Sequence, residues 1–513
     1  MRGRGGIGRR SGLKIRFPLE VRVRVPPSAP VALALCLAAS ALTGCSLFGD
    51  SGPVRVAAIG ALNRDQNRAP SPLSLPNRLF LDATAGGLVG FSSDGQVEAG
   101  LAERWTVIEG GRSYIFRIRE ARWTNGRRVR TEEVARILQR LIASPRLRST
   151  LRGEFRSVRD IRAMTGSVIE IRLTRPQPDL LDLLAQPDMA ILRNGEGWGP
   201  WRPVWTGGSA ALVPIPEMGS AAAEADEELE PAVILWGAEA SNAVAQFDEG
   251  DVAAVFGGRF QDWPLVGAAG VPDNAVQIDP VDGVFGLAVV DESGLLSSTA
   301  GRNAVAMAID RAALAEAFDV PGWVPRITAR RAGSIAPVYP AWVDLSPAER
   351  RARASATVRA WSAAANDGSP PVLRIALPSG PGARILFARI NADLAAVGIR
   401  SRWVPLSEDA DLRLIDDIAP SGDPAWYARR LGCGRGVGCA EELERQLATI
   451  DTVISAEARV SAIGVAEETI IGHGGFIPLG NPVRWSLVRP GLVGVRPNPR
   501  GRHSLIRLRE IPD

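Results

Sequence analysis

The sequence predicts an α/β chain, and three observations carry that expectation. Tyr114, Phe116 and Ile118 alternate as one face of a half-buried strand, and Ile169, Ile171 and Leu173 repeat the pattern. From Thr131 onward, Val134, Ile137, Leu138, Leu141 and Ile142 switch to helical spacing, with Glu132 and Glu133 at the positive end of the helix dipole. Later, Leu373, Ile375 and Leu377 read as a strand, Leu386, Ile390 and Leu394 as a helix face stopped at Gly398, and Ile399 to Val404 as the next strand.

Taken in order, the chain opens on Arg16, Arg22 and Arg24 and then an apolar run from Val31 to Leu42. At 12 residues the run is shorter than the roughly 20 a spanning helix needs, so an export signal is the better reading. Leu42-Thr43-Gly44-Cys45 resembles the lipobox of bacterial lipoproteins, in which the cysteine is acylated and becomes the first mature residue. Residues 1–44 are therefore expected to be removed, Cys45 to carry lipid, and residues 45–53 to act as a tether. The mature protein would sit on the periplasmic or extracytoplasmic face of a membrane. Residues 1–44 hold eight of the 60 basic and one of the 56 acidic residues, so their loss moves the formal charge from +4 to −3 and removes any electrostatic case for a nucleic-acid partner. Residues 45–513 are more than one core normally serves, which predicts two or three domains.

Val54 to Ile59 is the first expected strand, followed by a polar loop to Pro76. Asn125-Gly126 predicts a type I′ hairpin turn ahead of the helix from Thr131. Gly87-Leu88-Val89, Asp94-Gly95, Leu101 to Trp105, Tyr114, Phe116, Arg119, Trp123, Asn125-Gly126 and Glu133-Val134 occur in one order and nearly one spacing. Together they resemble the N-terminal signature of the family 5 extracellular solute-binding proteins, the dipeptide, oligopeptide and nickel receptors of ABC importers. Pro176 to Leu184, Phe247 to Val255, and the segment Arg302, Ala304, Ala308, Ile309, Asp310, Arg311, read as one helix, extend the likeness over most of residues 54–510.

The resemblance implies a two-lobed fold of the periplasmic-binding-protein kind, type II, with mixed sheets and an extra subdomain on lobe one. Lobe one would comprise residues 54–78, 192–281 and 476–513, the subdomain residues 79–191, and lobe two residues 282–475. It further implies capture of a short peptide or peptide-like solute between the lobes and delivery to an ABC permease and its ATPase, by a monomer without cofactor. Asp423, beside Pro424, sits where peptide receptors of the family pair an aspartate with the ligand's α-amino group, and Trp426 would line the same pocket. The alternative is an envelope lipoprotein that keeps the fold for signalling or interaction without transport.

Chemistry is otherwise sparse. The G-x-G-x-x-G match at residues 3–8 follows no strand and is a chance one, and Lys14, the sole lysine, follows no Walker loop. Gly472-His473-Gly474-Gly475 slightly resembles an esterase oxyanion loop, but no G-x-S-x-G elbow occurs, which argues against an enzyme. A nickel site would need His473 and His503 close together. Cys433 and Cys439 stand in a glycine-rich loop without histidine, and export favours a local disulfide over a metal site.

Overall fold

The computed structural model describes residues 52–65, 73–164, 166–216, 229–333, 335–365 and 368–510, all within the compact unit Ser51–Asp513. The signal segment, Cys45 and the glycine match at residues 3–8 lie outside the described residues.

Two mixed sheets dominate. The first has seven strands, in the order Val276–Ile278, Arg484–Val488, Ala254–Arg259, Val54–Ile59, Val233–Ala238, Ser209–Pro214 and Trp201–Thr206. Val54–Ile59 runs parallel to both its neighbours and is buried nearly throughout, as an apolar central strand with elements on both faces must be. The second sheet has five strands, ordered Arg400–Pro405, Val372–Leu377, Leu412–Ile418, Gly283–Val289 and Phe476–Gly480. Every residue of Gly283–Val289 is buried between its two antiparallel neighbours. This is the two-lobed α/β fold of the periplasmic binding proteins. A four-stranded antiparallel sheet of Ala102–Ile108, Ser113–Ile118, Val168–Leu173 and Val158–Ala163 packs on the helix Thr131–Ile142 around an apolar core of its own, which includes Leu88, Phe116, Trp123, Leu138 and Ile171.

The chain passes between the two large sheets at residues 279–282 and 481–483. The Asp279 amide donates to the Arg484 carbonyl at 3.0 Å, so the first passage begins beside the strand into which the second one leads. Phe476–Gly480 pairs with Gly283–Val289 in the five-stranded sheet, so the return expected after residue 475 falls, by strand membership, after Gly480.

Two local expectations are corrected. Asn125 does not take the positive φ that a type I′ turn needs; Gly126 alone does, at +81°. Gly126 N–H donates to the Trp123 carbonyl and Trp123 N–H to that of Arg127, both at 2.8 Å, a three-residue loop with a left-handed glycine. The Asn125 side chain accepts from the Arg127 amide at 3.1 Å, which favours the right-handed conformation at Asn125. The second correction is at Ile309, where the expected single helix breaks into Thr299–Ala308 and Arg311–Phe318. Asp310 accepts from the Ala313 amide at 3.1 Å and so caps the second helix, a better use of a short carboxylate than mid-helix. Arg311, buried beside the break, spends its guanidinium on the backbone carbonyls of Ala306, Ile309 and Pro478.

Candidate functional site

Two adjoining cavities open where the lobes meet. The first, about 120 Å³, is lined from the seven-stranded side by Phe256 to Arg259 and Arg484 to Ser486, and from the five-stranded side by Asp416 to Pro420. Arg78, Arg148, Gln186 and Arg500 to His503 complete its wall. The second, about 340 Å³, shares Ala419 and Arg500 with the first and adds Asp282, Arg330, Arg331, Ser421, Pro424 and Tyr427. Together they reach the size at which small-molecule sites begin, near 300 Å³.

Arginine dominates the walls because the sequence has no other cation to place there: Lys14 lies far upstream. Most of these guanidiniums are neutralised. Arg484 binds Asp416 at 2.8 and 3.0 Å, Arg500 binds Asp182 at 2.8 Å, and Arg259 lies 3.7 Å from Asp416. Asp417 is held by Arg430 at 2.7 Å. Arg78, Arg148 and Arg502 are served less well. Arg148 and Arg502 both donate to Gln186 Oε1, at 3.1 and 2.6 Å, and Arg78 comes no nearer to Asp188 than 3.9 Å. Burial and the neighbouring Arg148 lower Arg502 to about 10, and the same two causes lower Arg78.

Asp423, expected to meet a ligand's amino group, is bonded to groups of the chain itself. Its Oδ1 accepts from the Ala425 amide at 3.1 Å and Arg459 Nη1 at 3.1 Å; its Oδ2 accepts from Arg429 Nη2 at 2.8 Å and Arg459 Nη2 at 2.9 Å. These bonds occupy the lone-pair directions of a carboxylate and leave none for a ligand ammonium. Burial alone would push the carboxyl up, but Arg429 and Arg459 outweigh it and hold Asp423 below the usual range. Ser421, Gly422 and Pro424 line the second cavity, whereas Asp423 lines neither. Trp426 is buried too, its indole N–H donating to the Thr150 carbonyl at 2.9 Å.

Asp423 and Trp426 instead belong to a contact that joins the subdomain to the second lobe. Arg429 also binds Glu154 through Nε and Nη2, at 2.9 and 2.5 Å, with both side chains buried. Asp451 reaches Arg156 at 3.1 Å, Gln186 Nε2 donates to the Pro420 carbonyl at 2.9 Å, and Ser421 Oγ donates to Asp179 at 2.6 Å.

The remaining candidates are structural. His503 is buried, stacked on Phe256, with Nε2 3.1 Å from Asp279; His473 ends the helix Ala456–His473, with Nε2 3.4 Å from Glu292. Different carboxylates hold the two histidines, and among the described residues no group of three His, Cys, Asp or Glu is arranged to hold a metal. Cys433 and Cys439 are joined by a disulfide with Cα atoms 5.4 Å apart. Among the described residues, no helix is long and apolar enough to cross a membrane. Sequence reasoning missed Arg78, Arg148 and Arg502, because no motif marks single arginines so far apart in the chain.

Residues 96–208 match the family described as bacterial extracellular solute-binding proteins, family 5 middle. The probable deoxycholate-binding periplasmic protein YgiS of Escherichia coli is 26% identical over 136 residues, 22% of this chain and 25% of that relative, so the match spans about a quarter of the relative's length. The Haemophilus influenzae OppA complex with the peptide RPPGFSPFR superposes with a TM-score of 0.75 at 17% identity, over 90% of this chain and 99% of that one. AgaA of A. tumefaciens R10, in complex with agropinic acid, gives 0.69 at 17% identity over the same shares. The murein tripeptide binding protein MppA of Escherichia coli gives 0.74 at 16% identity, again over 90% and 99%.

Proposed function

From a chain of the family 5 extracellular solute-binding type, we infer a receptor that captures a small peptide-like or related solute between its lobes and delivers it to the permease of an ABC importer. The observation that carries this reading is the pair of adjoining cavities, whose walls come from both large sheets and from the subdomain, so that a solute there would be gripped by parts that can separate. The reading is of a binding protein: among the described wall residues Asp416 pairs with Arg484, Asp417 with Arg430 and Asp279 with His503.

The ligands of the similar proteins range from a nonapeptide to agropinic acid, and the peptide class rests on that range and on the resemblance. We assign Asp423 and Trp426 to the contact between subdomain and second lobe, on the strength of their saturated hydrogen bonds. We further propose that Cys45 carries lipid and holds the receptor at the extracytoplasmic face of a membrane. Two or more acyl chains would anchor it stably, where one would be marginal.

Mass spectrometry of solute released from the exported, full-length protein tests the capture. A stoichiometric small molecule that raises the melting temperature when added back is the expected result; no such molecule in protein exported by its own cells would remove the reading. Cys45→Ala protein should lose acylation, and wild type recovered soluble with an unmodified Cys45 would exclude the anchor.

A further inference from the structure

We propose that Arg78, Arg148 and Arg502 form an anion-binding subsite in the wall of the interlobe cavity, and that the captured solute carries a carboxylate which docks there. The proposal rests on the capture reading and names the chemical class of its ligand.

Arg78 projects from the helix Leu75–Thr84, Arg148 follows the helix Thr131–Ile142, and Arg502 comes from the C-terminal segment; all three line the same cavity. Guanidiniums taken from water need counter-charges and hydrogen-bond acceptors to offset the loss of hydration. Here they are short of both. Among the described residues Asp188 is the one carboxylate within ion-pair range, 3.4 Å from Arg148 and 3.9 Å from Arg78, and neither of its oxygens accepts a hydrogen bond from those residues. The Nε atoms of Arg78 and Arg148 are buried and have no partner among those residues. Arg148 and Arg502 share the neutral Gln186 oxygen.

The other titratable groups around the corner do not fill the deficit. Asp82 is bonded to Ser504, and burial pushes its carboxyl up, toward the neutral form. Asp279 serves His503 and the Asn498 amide, Asp182 serves Arg500, and Asp416 serves Arg484. Arg484 and Arg500 are thus paired and Arg259 shares Asp416 with Arg484, whereas three cations meet around a single carboxylate at the corner of Arg78, Arg148 and Arg502. A carboxylate is the ligand group that fits, because its two oxygens meet guanidinium N–H pairs side by side in charge-assisted bonds.

The mutual repulsion of the three cations gives the test a signature that a purely structural role lacks. Removing one charge should leave the empty protein as stable as before, or more so, while weakening the ligand. Full-length exported protein and its Arg78→Gln and Arg502→Gln variants are compared by calorimetry and thermal melting with three probes: the co-purified solute, its carboxamide and inorganic phosphate. Binding of the solute should fall about 10- to 100-fold in each variant, the carboxamide should bind wild type as weakly as the solute binds the variants, and the unliganded melting temperature should hold or rise. A co-purified solute with no carboxylate, equal affinity in wild type and variants, or phosphate binding as tightly as the solute would each overturn the carboxylate subsite and leave solute capture standing. A protein that neither co-purifies with a small molecule nor is stabilised by one would remove the capture reading itself.

Discussion

At the scale of single residues, Asp423 decides most. A buried carboxylate bonded to Arg429 and Arg459 is costly to remove, since Arg459 then loses its counter-charge and Arg429 is left with Glu154 as its close partner. Asp423→Ala should cost about 3 to 5 kcal/mol by chemical denaturation. Because its pKa is lowered in the folded protein, the stability it contributes is complete above the unfolded value near 4 and is lost as pH falls through the folded value. The mutant should therefore show a shallower loss of stability than wild type in acid below about pH 4. If a peptide proves to be the ligand, N-acetylation should change its affinity equally for wild type and Asp423→Ala. A larger penalty in wild type, measured calorimetrically, would return Asp423 to the ligand. The position of Asp423-Pro424 was legible in the sequence, but its use was not. Its partners lie six and 36 residues away, and a carboxylate free for a ligand reads the same, letter by letter, as one already saturated.

Among the elements, the disulfide loop links local chemistry to the way the parts dock. Arg435, inside the loop closed by Cys433 and Cys439, donates to the carbonyls of Ser149 and Arg152 at 3.1 and 2.7 Å, so the loop also clasps the subdomain. A short loop of this kind stabilises by roughly 2 to 3 kcal/mol in the entropy model. Cys433→Ser/Cys439→Ser should lower the melting temperature by a few degrees and raise hydrogen exchange in residues 145–155 as well as in the loop; unchanged exchange in that stretch would separate loop from docking. Strands and helices with clear periodicity, such as Ser113–Ile118 and Thr131–Ile142, were legible because their apolar faces are local facts. The turn at Asn125-Gly126 and the break at Ile309 were not. Each is decided by side-chain hydrogen bonds, from Asn125 and Asp310, that compete with the backbone pattern the periodicity suggests.

For the molecule as a whole, the contact of Glu154 with Arg429 ties together parts that, on the proposed capture of a solute between the lobes, would separate to admit it. Glu154→Gln should shift the population toward the open arrangement, raising the radius of gyration in solution scattering while leaving the sheets folded. Solute affinity should fall in proportion to the closed fraction lost. An unchanged scattering profile would place the closure energy elsewhere. Much of this architecture could be anticipated from the order of weak motifs. The cationic corner could not, since Arg78, Arg148 and Arg502 are brought together only by the packing of three distant segments.

The route of the chain between the lobes has a mechanical consequence. Val54–Ile59 and Arg484–Val488 both lie in the seven-stranded sheet, and the five-stranded sheet is spliced in between through two passages. Tension applied at the N-terminus, by a tether or by optical tweezers gripping both ends, runs through the first sheet and bypasses the second. The second lobe is outside the load path and can swing without feeling the pull. Force applied between the termini should therefore strain the seven-stranded sheet and the C-terminal wall of the cavity, and speed release of the solute, before it breaks the pairing within the five-stranded sheet.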